Sequence, residues 1–166
     1  MARASGKTKQ LAVVPRARAA EARTGQEAIP YLLRQVAERL GRSLNEALKP
    51  FDQTPSVYRV LIALARRNPA RITELAELTL LELSTLSRTI DRMEQDGLVK
   101  RASGSEDART VLVSITQAGR DFLDGILPAV SAQYEWSIHD VRAADLEVMR
   151  TVLKAMLRNL RVSPIK

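Results

Sequence analysis

The sequence predicts a mainly α-helical fold with a small β-wing, namely a winged helix-turn-helix domain flanked by N- and C-terminal dimerisation helices. Two short helical patterns lie close together between Ile72 and Asp96, and two strand patterns with a polar tip follow them directly. Long helical patterns precede and follow this segment. The predicted divisions are a basic arm (residues 1–26), a helical dimerisation region (27–50 and 117–163) and the winged helix-turn-helix domain (51–116).

The composition suits one globular unit and excludes several classes of protein. The chain has 166 residues, of which 45% are hydrophobic, and this is enough for a sizeable core. The absence of cysteine excludes a disulfide framework, a thiolate metal site and a thiol redox sensor, and it favours the cytoplasm. The apolar runs are too short to span a membrane, and the N-terminus lacks the apolar stretch of a secretory signal, so no membrane partner is expected.

The positive charge is concentrated in the N-terminal arm. The whole chain carries a formal charge of +7, but residues 1–25 hold six Lys or Arg against one Glu, which gives +5. The rest of the chain carries +2, from 20 basic and 18 acidic side chains. We expect this arm, which is poor in large apolar residues, to be disordered when free. It is either a solubilising tail or a source of additional phosphate contacts.

Helical periodicity defines the first two helices. The first is expected from about Glu27 to Lys49, where Pro50 ends it. Thr54 then provides an N-cap, with Pro55 in the first turn of the second helix. The apolar positions that define the two helices are Tyr31, Leu32, Val36, Leu40, Leu44 and Leu48, followed by Tyr58, Leu61, Ile62 and Ala65.

The third helix is short and follows a minimal strand. Residues 70–72 are predicted to form a strand too short for more than one pairing. Thr73 is expected to cap the helix after it. The side chains expected to point inward are Leu75, Ala76 and Leu78.

The fourth helix, from Leu83 to Asp96, is the predicted reading head, a helix that presents its outer face to a DNA groove; Gly97 is its C-terminal stop. A helical wheel places four apolar side chains in the sector that must face the core, namely Leu83, Leu86, Ile90 and Met93. The opposite sector holds Ser84, Thr85, Arg88 and Arg92, with Ser87 and Asp91 at one margin. Hydroxyls bond phosphates or bases and arginine binds guanine bidentately, so this face suits a major groove. The alternative is a solvated polar face.

A hairpin with strands over 98–102 and 109–115 forms the wing. At its tip Asp107 precedes Arg109 by two residues, where the carboxylate is placed to hold the guanidinium extended for entry into the minor groove. Lys100 and Arg101 on the incoming strand are predicted phosphate contacts. In the alternative, Asp107 and Arg109 form only an exposed ion pair, worth under ~1 kcal/mol.

The C-terminal part of the chain is predicted to be helical and to pair with a second copy. Thr116 is expected to cap a fifth helix, which Pro128 bends. The sixth helix carries a stripe that is too apolar for one side of a small monomer. The predicted dimer interface in this stripe is Leu146, Met149, Leu153, Met156 and Leu160.

At these residues the chain resembles the MarR family, the multiple-antibiotic-resistance regulators. The resemblance rests on three segments: TPSVYRVLIAL (54–64), LSTLSRTIDRMEQDGLVKR (83–101) and EDARTVLVSITQAGRDFL (106–123). The third segment is the most specific, because the Asp-x-Arg tip, the strand ending in Ile-Thr and the following Gly form the family signature. Two departures are the turn 79–82, which lacks the glycine common in such turns, and Glu82, which stands where a Ser or Thr cap is usual.

The resemblance implies a homodimer whose terminal helices interlock and whose two winged domains enter successive major grooves of a pseudo-palindrome. Ser84, Thr85, Ser87 and Arg88 would then be groove contacts. Arg109 would be the minor-groove finger and Asp107 its buttress, while Arg92 would meet phosphate.

The resemblance also implies a cleft for a small, often aromatic anion. Here the cleft would be lined from the first, second and fifth helices, by Tyr31, Arg34, Phe51, Tyr58 and Trp136. Arg34 is placed to pair a carboxylate or phosphate, while the aromatic side chains stack on a ring. The alternative is that each of these residues belongs to the core or the surface.

The sequence therefore predicts a regulator of transcription that binds double-stranded operator DNA as a dimer. We expect a repressor released by a small organic effector, for which an aromatic carboxylate or an aromatic acyl-CoA is the favoured class. The alternative is an architectural or protein-interaction module without an effector. No enzyme, cofactor or metal site is predicted, because His139 is the only histidine and no nucleophile or acid-base pair can be assembled.

Overall fold

The structure is a computed structural model and describes residues 28–103 and 111–161. Its helices and strands follow the predicted order. They are α1 (Ile29–Leu48), α2 (Pro55–Arg66), β1 (Ala70–Arg71), α3 (Ile72–Thr79), α4 (Leu83–Gln95), β2 (Val99–Ser103), β3 (Val111–Ile115), α5 (Gln117–Ile138) and α6 (Ala143–Arg161). A 3-10 turn (Lys49–Phe51) that contains Pro50 ends α1. The prediction of a mainly α-helical fold with a small antiparallel sheet is confirmed.

The chain divides into two compact units, with the boundary inside α1 between Arg42 and Ser43. In the first unit, Arg34 pairs with Glu38 at 2.8 Å, one helical turn away. The Arg34 guanidinium also lies 5.4 Å from the centroid of the Tyr31 ring. A cation over an aromatic face at this distance is attracted by the ring quadrupole, so Arg34 already has two partners within its own helix.

The core lies in the second unit. The end of α1, helices α2 to α5 and the sheet all contribute side chains that are fully buried. The largest of them are Leu48, Leu61, Leu64, Leu75, Leu86, Ile90, Met93 and Ile126. This core fixes α4 against α2 and α3.

The sheet has the strand order β1-β3-β2, with antiparallel pairing throughout. Val113 on the central strand pairs with Ala70 on one side and with Arg101 on the other, and its side chain is fully buried. The Ile115 N–H also donates to the Asn68 side-chain oxygen at 3.1 Å. The base of the wing is therefore continuous with the core.

The buried face of α2 is rotated from the predicted one. Thr54 caps the helix and Pro55 follows it, as predicted. However, Tyr58 and Ile62 are only half-buried and Ala65 is exposed. The side chains that pack inward are Val57, Val60, Leu61, Ala63 and Leu64. Leu61 is fully buried, as predicted, whereas Tyr58 and Ile62 lie at the margin of an inner face that is broad because α2 packs against several elements at once.

The predicted start of α3 is wrong. The helix begins at Ile72 without a break after β1, so Thr73 lies within its first turn. The Arg71 N–H donates to the Glu74 carboxylate at 2.9 Å, and this bond takes the place of the expected threonine cap. Leu75 is fully buried, but Leu78, in the last turn of the helix, is 55% exposed. No helix within the described ranges is both long and apolar enough to cross a membrane.

Candidate nucleic-acid interface

Helix α4 is held by three fully buried side chains. Leu86, Ile90 and Met93 have no exposed surface, as the helical wheel predicts. Leu83 was expected with them, but its side chain is 55% exposed. It is the first residue of the helix and lies beyond the end of the core.

The outward face of α4 carries the predicted polar side chains. Ser84, Thr85 and Arg88 are exposed, whereas Ser87 is half-buried. Arg92 is also exposed and lies 3.7 Å from the Asp96 carboxylate, one turn further on. Within the described parts of the chain, the Arg88 guanidinium makes no salt bridge. The face therefore offers two hydroxyls near the helix start and a cation one turn later.

The turn before α4 is unusual for its residue types. Leu80 has a φ of 56°, a left-handed conformation that normally favours glycine, and its side chain is 87% exposed. Glu82 is the N-cap of α4, and its side chain makes no capping hydrogen bond. Both departures noted in the sequence are thus visible as local geometry, while α4 remains anchored in the core by Leu86, Ile90 and Met93.

The end of α4 leads directly into the wing. Gly97 has a φ of 72°, and the Leu98 N–H donates to the Met93 carbonyl at 2.8 Å, which closes the helix. The prediction of Gly97 as the stop is confirmed. Lys100 is exposed on β2. The tip of the wing, residues 104–110, lies outside the described residues, and so do the predicted contacts Asp107 and Arg109.

Arg101 lies beside two carboxylates of α4. Its guanidinium is 2.6 Å from the Asp91 carboxylate and 2.8 Å from the Glu94 carboxylate, both on α4. Its backbone N–H donates to the other Glu94 oxygen at 2.8 Å. Arg101 as a phosphate contact stays a prediction, although two of its guanidinium nitrogens already bond carboxylates in this structure.

The electrostatics of this cluster follow from its hydrogen bonds. The Arg101 backbone N–H, followed by its guanidinium, holds the pKa of the Glu94 carboxyl below its usual value. Partial burial lowers the pKa of Arg101, but the bonds to Glu94 and Asp91 outweigh this and the pKa is raised. Glu94 and Arg101 are therefore both charged at neutral pH.

A second junction joins the wing to α5. The Thr116 hydroxyl donates to the Gly97 carbonyl at 2.7 Å and accepts from the Gly119 N–H at 3.0 Å. The Thr116 N–H donates to the Leu98 carbonyl at 3.1 Å. Thr116 thus caps α5, as predicted, and ties that cap to the end of α4.

Comparisons with known proteins identify this arrangement. The MarR family model matches residues 54–111, which extend from the cap of α2 to the start of β3. The multiple antibiotic resistance protein MarR of Escherichia coli is 37% identical over 97 residues, which are 56% of this chain and 66% of that protein. The chain belongs to the MarR family.

Other likenesses extend over most of the chain. The transcriptional repressor IacR of Pseudomonas putida is 27% identical over 130 residues, 78% of each chain. The crystal structure of a MarR-family regulator from Silicibacter pomeroyi gives a TM-score of 0.76 at 28% identity, covering 85% of this chain and 96% of that one. A mutant E. coli MarR complexed with operator DNA gives 0.70 at 27% identity, covering 80% and 96%. This MarR-family chain is a DNA-binding transcriptional regulator with a winged helix-turn-helix fold.

The residues predicted to bind an effector in this MarR-family chain have dissimilar surroundings. Phe51 and Tyr58 are half-buried and pack against the core of the second unit. Trp136 is 73% exposed and stacks on His139, with ring centroids 4.9 Å apart. Tyr31 and Arg34 belong to the first unit, where they contact each other. Within the second unit, Tyr58 is the only one of the predicted residues that lines the cleft described next.

That cleft lies between α2 and the C-terminal end of α3. Its volume is about 420 Å³, and its lining is apolar with arginines at the edge. The lining residues are Tyr58, Arg59, Ile62, Ala63, Arg66, Arg67, Leu78, Thr79 and Leu80. Burial raises the pKa of the Tyr58 phenol, and this effect outweighs the nearby Arg66, which lowers it. The hydroxyl is therefore uncharged at neutral pH and can donate a hydrogen bond. Sequence reasoning missed the arginines, although Tyr58, Ile62 and Arg66 recur every four residues and so share one face of α2.

Two further predictions concern the C-terminal helices. His139 caps the end of α5 and pairs with Asp140 at 2.9 Å, in agreement with a helix-end role. In α6, the predicted interface residues are half-buried or exposed, namely Leu146, Met149, Leu153, Met156 and Leu160. No residue of α6 whose side chain is described is fully buried.

Among the described residues, His, Asp and Glu side chains form no cluster that would hold a metal ion.

Proposed function

We propose that this protein is a homodimeric repressor that binds a pseudo-palindromic operator sequence-specifically and releases it when a small organic anion binds. The outer face of α4 is the observation that carries the DNA-binding part. Ser84, Thr85 and Arg88 project from a helix whose opposite side is fully buried. A helix fixed in this way presents its donors in one orientation, which base readout in a major groove requires.

The exposed stripe of α6 supports the dimer. Met149 is 49% exposed, Val152 51% and Leu160 70%, so one side of the helix leaves a row of large apolar side chains in water. A second copy that covers this row removes it from solvent, and burial of apolar surface drives association. Two-fold symmetry then presents two reading heads to half-sites about 34–36 Å apart, one turn of DNA.

The cleft between α2 and α3 supports an anionic, aromatic effector. Ile62 and Leu78 provide an apolar wall, and Tyr58 a neutral donor. Arg67 is engaged with Glu74 at 2.6 Å, which leaves Arg59 and Arg66 as the cations for a carboxylate. A volume of this size suits a small molecule with a single ring.

The position of the cleft suggests how its occupancy reaches the DNA. Leu78 and Leu80 line the cleft, and α4 begins at Leu83. A ligand that binds better to one arrangement of this turn shifts the population toward that arrangement. Release of the operator follows when the favoured arrangement does not allow both reading heads to occupy their half-sites.

DNA selection followed by footprinting tests the proposed specificity. Random duplexes are enriched on the wild-type protein at physiological salt, and the selected site is footprinted with wild type and with Arg88→Ala. We expect an inverted repeat protected by the wild type, and reduced discrimination by Arg88→Ala. Equal protection of random DNA by both proteins would support the architectural alternative instead.

A thermal-shift screen tests the effector. Aromatic carboxylates and aromatic acyl-CoA thioesters are each added to wild type, to Arg66→Ala and to the control Arg150→Ala on α6. A ligand of the native state raises Tm. We expect a rise in wild type and control that is lost in Arg66→Ala, together with weaker operator binding. If no compound changes Tm or operator binding, the module acts without such an effector.

A further inference from the structure

An ion cluster joins the wing to the reading head. Asp91 and Glu94 lie three residues apart on α4 and so share one face of the helix. Arg101 on β2 reaches both of them with separate guanidinium nitrogens. We call Asp91, Glu94 and Arg101 the wing clamp.

The wing clamp differs from the other ion pairs described in this chain. Its arginine side chain is 24% exposed, whereas the arginines and lysine of the other pairs are 55% to 82% exposed. A planar guanidinium that bonds two carboxylates at once is held in one orientation, which a single exposed pair does not achieve. The Arg101 backbone N–H also donates to Glu94, and this third bond attaches the backbone of β2 to α4.

The charge of the clamp argues against a direct role in binding phosphate. It contains two carboxylates and one guanidinium, so its net charge is −1 next to a surface that faces DNA. A cation intended for phosphate alone gains nothing from two anionic neighbours. Its geometry, in contrast, fixes β2 against α4 at the point where the hairpin leaves the core.

We propose that Arg101 is a positioning residue for DNA recognition, which holds the wing at a fixed angle to α4 so that both bind the same site together. The inference rests on the sequence-specific binding proposed above. Arg101 pairs in the sheet with Val113, which is fully buried, so the clamp connects the wing to the core as well as to the reading head.

Neutralisation of one carboxylate distinguishes this role from a phosphate contact. Glu94→Gln removes a negative charge close to DNA but also breaks the clamp. The matched control is Glu82→Gln, which makes the same change of charge on the N-cap of the same helix, where the side chain makes no capping bond. We expect Glu94→Gln to weaken operator binding on the order of tenfold and Glu82→Gln to strengthen it slightly. Fluorescence anisotropy with the selected operator measures both.

A double-mutant cycle provides the second measurement. Arg101→Ala and Arg109→Ala are compared with the double variant in operator affinity. If the clamp acts through the wing tip, the two effects are non-additive. Once Arg101→Ala has misplaced the wing, Arg109 no longer reaches DNA, so its substitution costs little further binding free energy. Independent phosphate contacts would make them additive, and each would lower the salt dependence of binding.

Amide hydrogen exchange keeps the test independent of DNA specificity. In the full-length protein we expect faster exchange at the β2–β3 amides in Glu94→Gln than in Glu82→Gln, with α2 and α5 unchanged. Unaltered exchange, additive effects in the cycle, or tighter operator binding by Glu94→Gln would each overturn the proposal. If the wild type discriminates no operator, the proposed function fails, while the exchange measurement still tests the clamp.

Discussion

The Gly119 amide donates to the Thr116 hydroxyl at 3.0 Å, and this bond sets the Gly119 backbone directly against the Leu98 carbonyl. A Cβ on Gly119 would collide with that carbonyl oxygen and would lie 2.9 Å from a side-chain carbon of Ile115. The start of α5, the end of α4 and the end of β3 meet here with no space for a methyl group. Glycine at position 119 is therefore required by close packing, since its φ is an ordinary helical one.

The first prediction concerns this contact. Gly119→Ala should lower the free energy of unfolding by about 1–3 kcal/mol, because backbone atoms must shift to admit the methyl group. Gly125→Ala is the matched control in the same helix, where an added Cβ meets nothing within 4 Å. It should stabilise the protein by about 0.5–1 kcal/mol. Urea denaturation measures both, and equal effects of the two variants would contradict the packing argument.

A second prediction separates specific from general DNA contacts. Arg88→Ala should cost about 1–3 kcal/mol of binding free energy at particular base pairs, because a bidentate contact reads one base. Removal of residues 1–25 should weaken binding to all sequences and reduce the salt dependence, since it removes a net charge of +5. Anisotropy titrations on operator and scrambled duplexes distinguish the two. The same profile for both changes would refute this division of roles.

A third prediction follows from the lowered pKa of Glu94. A carboxyl whose folded-state pKa is below its unfolded value stabilises the protein at pH above the unfolded value, and this contribution is lost as the pH falls through the folded one. Denaturation should thus become easier in acid below about pH 4.3, the ordinary glutamate value. Glu94→Gln should flatten that part of the pH profile of the unfolding free energy. An unchanged profile would show that the Arg101 bonds do not persist in solution.

A fourth prediction concerns Leu80. Its left-handed backbone carries a steric cost of about 1–2 kcal/mol for a residue with a Cβ, and its side chain is largely in water. Leu80→Gly should therefore raise the unfolding free energy by about 0.5–1 kcal/mol after the greater chain entropy of glycine is subtracted. Leu83→Gly, within the first turn of α4, should lower it. Thermal denaturation of the two variants provides the comparison, and a strong loss in Leu80→Gly would reveal packing by this side chain.

Local periodicity predicted much of the fold, because a helix that is buried on one side repeats apolar residues every three to four positions. Leu86, Ile90 and Met93 were found in this way, and Gly97 and Thr116 were found as helix boundaries. Leu83 was wrongly predicted to be buried, because a helical wheel takes no account of where a helix begins. The core does not extend to the first turn of α4, so this side chain is exposed. The wing tip with Asp107 and Arg109 stays a prediction.

The candidate site was less predictable because its side chains are brought together from separate elements. The partners of Arg101 lie seven and ten residues earlier, on another element, and no repeat in the sequence connects them. The aromatic residues proposed for the effector were chosen by residue type and by the helices on which the family resemblance places the cleft. Their burial is decided by tertiary packing, which separates Trp136 from the cleft that Tyr58 lines.

Helix α6 also makes the stability of the protein depend on its concentration. Because none of its described side chains is fully buried within one chain, its apolar stripe is completed in the proposed dimer only by association with another molecule. Tm should therefore rise with protomer concentration, as mass action requires. Below the dissociation constant, operator occupancy should increase with the square of the protomer concentration, so that a twofold change in expression acts on the promoter as a fourfold one.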